Sequence, residues 1–159
     1  MCCKVYGIPE IEKPAGQWCR HCRPGAGCSI YPDRPQMCRD FDCCWLIDPT
    51  MPDVWKPERS HIVLSIFPRN GFLYALVDPA SPQAWRKAPY FDYLRQMAVR
   101  LEESNRRVIV FVVDDATLVT SRGVVPLGRV GPDRTYAIRM AFGPDGPTYF
   151  LAGTRTLNR

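Results

Sequence analysis

Cysteines are the residues of this chain whose number and spacing predict chemistry. Six of the eight lie between Cys19 and Cys44, the other two are Cys2 and Cys3, and none follows Cys44. The spacing from Cys19 is C-x2-C-x5-C-x9-C-x4-C-C. A C-x2-C pair suits a metal ion because its turn brings both sulfur atoms to one side. Tetrahedral zinc and a cuboidal iron–sulfur cluster each take four such ligands, so eight thiols suffice for two sites or for one site with spare cysteines.

The spacing does not select the metal. It matches neither of the two common ferredoxin patterns, which favours zinc or mononuclear iron over an iron–sulfur cluster. Among the N-terminal cysteines Cys3 is the best candidate ligand, and Cys44 is the weakest of all because adjacent cysteines rarely both reach one metal without strain. The full set of candidate ligands is Cys2, Cys3, Cys19, Cys22, Cys28, Cys38, Cys43 and Cys44.

A disulfide-stapled lobe is the alternative explanation of these cysteines. Such a framework requires export, and residues 1–18 lack the basic start and apolar segment of a signal peptide. No apolar run approaches the 18 residues of a membrane span. We therefore expect a cytoplasmic protein without a membrane partner, in which the thiols stay reduced and bind metal.

The net charge is weak support for nucleic-acid binding. The formal value of +5 treats the cysteines as neutral. Eight thiolates would subtract eight charges and two divalent ions would add four, leaving +1. Because the sequence also lacks a run of Lys and Arg, nucleic acid is not an expected partner. The expected partner is the metal ion, and the sequence does not reveal whether a partner protein exists or which one.

The cysteine segment resembles a known family over about residues 1–60, the YkgJ-type CxxCxxCC proteins, which are described as zinc- or iron-chelating. The residues that carry the resemblance are Cys19-x2-Cys22, Gly27-Cys28-x-Ile30-Tyr31, Arg34-Pro35-x2-Cys38-Arg39 and Phe41-x-Cys43. The resemblance implies a metal-binding or iron–sulfur protein without an established reaction, and its pattern needs Cys43 but not Cys44. Family members carry a C-x2-C-C element where this sequence has Met1-Cys2-Cys3, so we expect one ligand to be missing or upstream.

Other polar residues have two interpretations each. Near a four-thiolate zinc site of charge −2, Arg34 and Arg39 would offset charge and donate hydrogen bonds to sulfur, whereas the alternative is a pair of surface arginines. His21 lies inside the C-x2-C loop, but the flanking cysteines are better placed as ligands. His61 begins a strand and is interpreted as structural. Asp114-Asp115 is interpreted as a turn rather than as an acid–base pair.

Residues 61–159 predict an α+β body, a mostly antiparallel sheet with one principal helix. That helix begins at Pro89 and ends near Ser104, with apolar residues at the i, i+4, i+7, i+8 and i+11 positions of one face. Ser81-Pro82 predicts the start of a shorter helix. The predicted strands are Ile62–Phe67, Phe72–Asp78, Val108–Val113, Thr117–Thr120, Val124–Val130, Arg134–Phe142 and Tyr149–Leu151. The first two form a hairpin around residues 68–71, and the third is buried on both faces.

Residues 1–60 predict a different kind of structure, a small irregular lobe with a Pro-rich connector. The lobe has too few aliphatic residues to fold by packing alone, so a metal is expected to hold it. Trp45 and Trp55 are expected to anchor the connector on the body. The domain division is therefore 1–60 and 61–159.

The predicted function is metal binding, with zinc or iron in a structural role. The alternatives are an iron–sulfur redox protein or enzyme, and storage or delivery of metal by labile thiolates. The sequence contains no nucleophile elbow, phosphate-binding glycine loop, H-E-x-x-H or Rossmann fingerprint. A non-enzymatic module is therefore favoured.

Overall fold

The fold is known from a computed structural model that describes residues 1–67, 70–130, 135–144 and 146–155. It confirms the predicted α+β class, because a mostly antiparallel set of strands packs with one long helix. None of the helices in this part of the chain is long and apolar enough to cross a membrane.

The main sheet has five strands in the spatial order β3-β4-β5-β6-β7. Neighbours run antiparallel except β4 and β5, which are parallel. A second antiparallel pair is formed by β8 and β9. The strand bounds are β3 Ile62–Ile66, β4 Leu73–Val77, β5 Val108–Val112, β6 Asp115–Thr120, β7 Gly123–Arg129, β8 Thr135–Gly143 and β9 Gly146–Arg155.

The long helix α5 (Tyr90–Glu102) supplies the crossover that the parallel pair β4–β5 requires. The predicted apolar face of this helix is confirmed. Leu94, Ala98 and Leu101 are buried, and Tyr90 and Met97 pack beside them. This helix covers one face of the sheet.

The central strand β5 is buried on both faces, as its continuous apolar sequence predicts. Val108 and Val110 enter the hydrophobic cluster under α5, whereas Ile109 and Phe111 enter a second cluster on the opposite face. The cysteine-rich segment, residues 1–47, contributes to the second cluster, in which its Val5 and Cys43 are buried. This segment therefore covers the face that α5 leaves open.

Short elements build the first 60 residues. Two of them, Pro9–Ile11 and Asp53–Trp55, are single turns of 3-10 helix. A third 3-10 turn, Ala84–Arg86, lies later in the chain, between β4 and α5. The other elements of residues 1–60 are α1 Cys2–Val5, β1 Cys22–Arg23, β2 Gly27–Cys28, α2 Gln36–Arg39, α3 Cys44–Ile47 and α4 Pro57–Ser60. Trp55 is buried under α5 and Trp45 packs against both clusters, so both tryptophans contact the body.

Some local predictions differ from the structure. A helical turn occupies Cys2–Val5, where irregular backbone was expected. The shorter helix starts at Ala84 rather than at Ser81-Pro82, because Ser81 lies in the preceding turns, where its N–H donates to the Asp78 carbonyl and its carbonyl accepts from the Ala84 N–H. The tight turn after β5 consists of residues 113–114, and Asp115 is already paired with Val112 in the next strand.

The hairpin of β3 and β4 is confirmed, with Ile62 opposite Val77. Residues 68–69 of its loop and residues 131–134 of the predicted turn before β8 lie outside the described residues. The division of the chain near residue 60 stays a prediction. Buried side chains from both sides of that point share both hydrophobic clusters.

The ion pair between Lys4 and Asp78 fastens α1 to the end of β4. The Lys4 Nζ lies 2.6 Å from Asp78 Oδ1, and the carboxylate side chain is only 6% exposed. Burial opposes ionisation of Asp78, but the hydrogen bonds from Lys4 and from the Ala80 N–H outweigh it, so the pKa of Asp78 lies below its usual value.

We predict that Asp78→Asn lowers the free energy of unfolding at neutral pH by about 2 kcal/mol, as loss of a hydrogen bond to a charged group does. Because the folded-state pKa is depressed, this contribution is present above the ordinary carboxyl pKa and disappears as pH falls through the folded value. Denaturant titrations of both proteins should therefore converge in acid. Asp53→Asn removes an exposed ion pair with Arg59 and should cost little. Equal losses for both variants would contradict the prediction.

Candidate metal centre

The N-terminal helical turn places two adjacent cysteines beside the C-x2-C pair of Cys19 and Cys22. Cys2 and Cys3 lie in α1, and the Cys19 backbone N–H donates to the Cys3 carbonyl at 2.9 Å. Both ends of this contact are candidate ligands. A backbone hydrogen bond therefore joins the start of the chain to the C-x2-C pair 16 residues later.

The C-x2-C pair lies in a tight turn that leads into a two-stranded ribbon. The Cys22 N–H donates to the Cys19 carbonyl at 3.0 Å, and the His21 N–H points to the Cys19 sulfur at 3.4 Å. In the ribbon Cys22 is the direct cross-strand partner of Cys28. Such partners have Cβ atoms about 4.5–5.5 Å apart. Gly25 has a φ of 82°, a conformation that glycine adopts readily and that closes the ribbon.

Six cysteines line one cavity of about 360 Å³. They come from α1, the turn before β1, the two ribbon strands and α2. The six are Cys2, Cys3, Cys19, Cys22, Cys28 and Cys38. None of the eight cysteines, which all lie within residues 1–67, forms a disulfide.

The last two cysteines enter hydrophobic clusters instead. Cys43 packs on the face of the sheet that the cysteine-rich segment covers, and its sulfur accepts hydrogen bonds from the N–H groups of Trp45 and Leu46. Cys44 packs on the opposite face, in the cluster under α5. Burial raises the pKa of Cys44 to about 11, which disfavours a thiolate there.

The thiols of the cavity influence each other's protonation. The Cys3 thiol donates a hydrogen bond to the Cys2 sulfur, which lowers the pKa of Cys2 and raises the pKa of Cys3. Burial raises the pKa of Cys3 further, and so does the Cys22 sulfur, which accepts a hydrogen bond from the same Cys3 thiol. Burial, followed by the charge of Cys19, raises the pKa of Cys38. Without a cation, the cavity therefore favours few thiolates at once.

A buried lysine next to the thiols is a residue that the sequence analysis missed. Lys13 is only 7% exposed. Its Nζ donates to the Lys4 carbonyl at 2.8 Å and also to the Tyr6 carbonyl, both at the end of α1. Burial lowers the pKa of Lys13, whereas the charges of nearby thiols, Cys19 first among them, raise it. In the sequence it stands between Glu12 and Pro14 and looks like an ordinary surface lysine.

Arg34 and Arg39 border the cavity, but their hydrogen bonds go to backbone carbonyls. Arg34 donates to the Tyr31 carbonyl at 2.9 Å and stacks 4.1 Å from the Tyr31 ring centroid. Arg39 donates to the carbonyls of Pro32 and Arg34. They therefore hold the loop before α2, and the predicted donation to sulfur stays a prediction.

The two histidines lie in different places. His21 borders the cavity, where its Nε2 accepts a hydrogen bond from Arg20 at 3.2 Å. His61 lies beside Asp78, with 3.7 Å between its Nδ1 and the carboxylate. His61 therefore belongs to the junction of α4 and the sheet and not to the thiol cavity.

The donor set of the cavity fits a soft or borderline metal, since thiolates are the ligands that zinc and iron–sulfur clusters take. The arrangement is not that of a formed site. In the part of the chain that the structure describes, no three His, Cys, Asp or Glu side chains are grouped as they would be around an ion. Coordination therefore requires the thiols to draw together, as expected where binding and folding are coupled.

The chain was compared with family models, curated proteins and solved structures, and nothing matches.

We predict that cysteines of the cavity and of the core respond differently to substitution. Cys22→Ala should abolish stoichiometric metal binding, because Cys22 contacts Cys3 and faces Cys28. Cys44→Ala should retain the metal and cost about 1 kcal/mol of stability, as a small core truncation does. Metal per chain after desalting and denaturant unfolding measure the two effects. Loss of metal in Cys44→Ala with full retention in Cys22→Ala would reverse the assignment.

Proposed function

We propose that this protein binds zinc or iron through cysteine thiolates and that the metal has a structural role. The observation that carries the proposal is the convergence of six cysteines, none of them in a disulfide, from separate segments on one cavity. A cluster of free thiols of this kind is maintained in a reducing compartment, so we also propose a cytoplasmic location.

The ligands that we propose are drawn first from the cavity. Cys19, Cys22, Cys28 and Cys38 also belong to the pattern shared with the YkgJ-type proteins. Cys2 or Cys3 would substitute in this first site, whereas a second four-thiolate site would take Cys2, Cys3, Cys43 and Cys44 together. Cys43 is retained as a candidate because the same pattern includes it, and Cys44 is the weakest candidate. A metal held by these residues would supply cross-links between α1, the ribbon and α2, with charge offset by Lys13, Arg34 and Arg39.

A structural role is favoured over catalysis by the ligand type. Sites closed by four thiolates leave no open position for substrate, whereas catalytic zinc keeps one. An iron–sulfur redox protein is the second candidate, and the cavity volume of about 360 Å³ favours it, because it exceeds what one ion needs. Storage or delivery of metal is the third, and the exposure of Tyr31 and Leu46 at the border of the cavity favours it, since it leaves the ligands accessible to exchange.

Metal content tests the proposal directly. We predict about one to two equivalents of zinc or iron per chain in protein purified without oxygen. A colourless protein with zinc supports the structural role, and a brown protein with iron and acid-labile sulfide supports the redox alternative. A metal-free protein with four disulfides by mass would contradict metal binding altogether.

Removal of the metal should affect the chain unevenly. Structural zinc contributes on the order of 10–16 kcal/mol in small thiol-rich modules, and residues 1–47 contain few buried aliphatic side chains. We predict that a chelator abolishes hydrogen-exchange protection in residues 1–47 and leaves it in Val108–Val112, where α5 and two neighbouring strands persist. Simultaneous loss in both regions would mean that the chain unfolds as one unit.

A further inference from the structure

A second cavity, separate from the thiols, lies between the cysteine-rich segment and the sheet. This cleft has a volume of about 710 Å³ and is bordered by residues 6–15, by α2 and by the end of β3. Tyr6, Ile8, Met37 and Phe41 border both cavities and form the wall between them. The volume is in the range of cavities that take small molecules or peptide side chains.

The cleft is acidic although the chain carries a net charge of +5. Four carboxylates border it, those of Glu10, Glu12, Asp40 and Asp114. Asp114 lies 3.8 Å from exposed Arg129, and within the described residues the other three have no ion-pair partner. The lysine of the lining, Lys13, donates to the backbone carbonyls of α1. Lys13 keeps its positive charge, so Lys13 and Arg129 together offset two of the four carboxylates, and negative charge remains in excess at the cleft.

In two of these carboxylates, one oxygen atom accepts a hydrogen bond from an uncharged donor. Glu10 Oε1 accepts from the Met37 N–H at 3.2 Å, and Asp40 Oδ1 accepts from Gln36 at 2.6 Å. These bonds orient the carboxylates and leave their negative charge. The described carboxylates also do not converge around one point as in a metal site. Separated charges of this kind suit an organic cation better than a bare ion.

Aromatic rings provide the apolar part of the cleft. The rings of Tyr6 and Phe41 meet edge to face with centroids 4.8 Å apart, and Phe67 stacks on Tyr74 at 5.1 Å. Ring faces attract ammonium and guanidinium groups and also cover aliphatic chains. Carboxylates beside aromatic rings are thus complementary to a cation with an apolar stem.

Ser65 is the independent sign of a ligand. The residue is only 5% exposed and borders the cleft on the same face of β3 as Phe67. Within the described residues the Ser65 side chain makes no hydrogen bond, and its hydroxyl is not among the fully buried polar atoms that lack a partner, so it is accessible from the cleft. The protein thus leaves this nearly buried hydroxyl free to bond a group inside the cleft, and a polar ligand group at this point would supply the missing partner.

We propose that this cleft binds an organic cation, an ammonium or guanidinium group on an aliphatic stem, with carboxylates of Glu10, Glu12 and Asp40 facing the charge and Ser65 donating to or accepting from the ligand. The cation comes either from a basic side chain of a peptide or from a free polyamine. Both present the same chemistry to the cleft.

Calorimetric titration of the purified, metal-analysed protein tests this inference. The probes are the tripeptide acetyl-Gly-Arg-Gly-amide, its citrulline counterpart, which keeps the shape but lacks the charge, and spermidine. We expect the arginine peptide, spermidine or both to bind, the citrulline peptide not to bind, and binding to weaken at about 0.5 M salt. Which cation binds identifies the source.

Variants of the cleft sharpen the test. The triple variant Glu10→Gln, Glu12→Gln, Asp40→Asn keeps the oxygen acceptors for Met37 and Gln36 and removes three charges, so binding should weaken at least about tenfold. Ser65→Ala should weaken it about three- to tenfold without loss of stability, since its hydroxyl has no partner to lose. Glu103→Gln, which removes one carboxylate charge at the end of α5 and outside the lining of the cleft, should have no effect.

Three results would overturn the inference: no binding of either cation, equal binding of the citrulline peptide, or full binding by both the triple variant and Ser65→Ala. Metal content measured on the same samples separates this outcome from failure of the proposed function, because the substituted residues are not proposed ligands. Thermal unfolding shows whether each variant is folded, and Ser65→Ala keeps the test valid if the triple variant is not.

Discussion

Central strand β5 has apolar side chains on both faces, and the rest of the chain has to cover both. One helix can cover only one face, and α5 does so with Leu94, Ala98 and Leu101. On the other face Ile109 and Phe111 would be exposed to water without a second layer. Burying an aromatic or branched side chain contributes roughly 1.5–3 kcal/mol. The cysteine-rich segment is therefore a covering layer as well as the part of the chain that contains the proposed ligands.

This arrangement explains how a segment so poor in aliphatic residues can lie in a defined place. Val5 and Cys43 pack on side chains that the sheet supplies, and the ion pair of Lys4 with Asp78 fixes α1 beside them. Cys44, one residue after Cys43, turns into the cluster under α5. The step from one face to the other at this pair joins the cysteine-rich segment to both halves of the core. A metal would hold the rest of this layer together by cross-linking α1, the ribbon and α2.

The sequence predicted best the features that depend on local patterns. The hairpin around residues 68–71, the apolar face of α5 and the burial of β5 follow from periods of two and 3.6 residues and from continuous apolarity. The parallel pairing of β4 with β5 was not predicted, although the order strand, helix, strand favours it. Lys13 could not be recognised, because its burial depends on the carbonyls of α1, which come together with it only in the fold. The different surroundings of Cys43 and Cys44 could not be predicted for the same reason, because they arise only when the folded chain places these two cysteines in different hydrophobic clusters.

The wall between the two cavities links their chemistry. Tyr6 follows α1, which carries Cys2 and Cys3, and Met37 precedes Cys38 in α2. Thiols drawn together around a metal would therefore move the same two elements that border the acidic cleft. Lys13 strengthens this link, because its ammonium group holds the carbonyls of α1 while the residue borders the cleft. Protein interiors are closely packed, so a shift of α1 toward α2 changes the volume on both sides of the wall. The shape of the cleft is thus set by the same short helices whose separation decides whether the thiols can reach one ion.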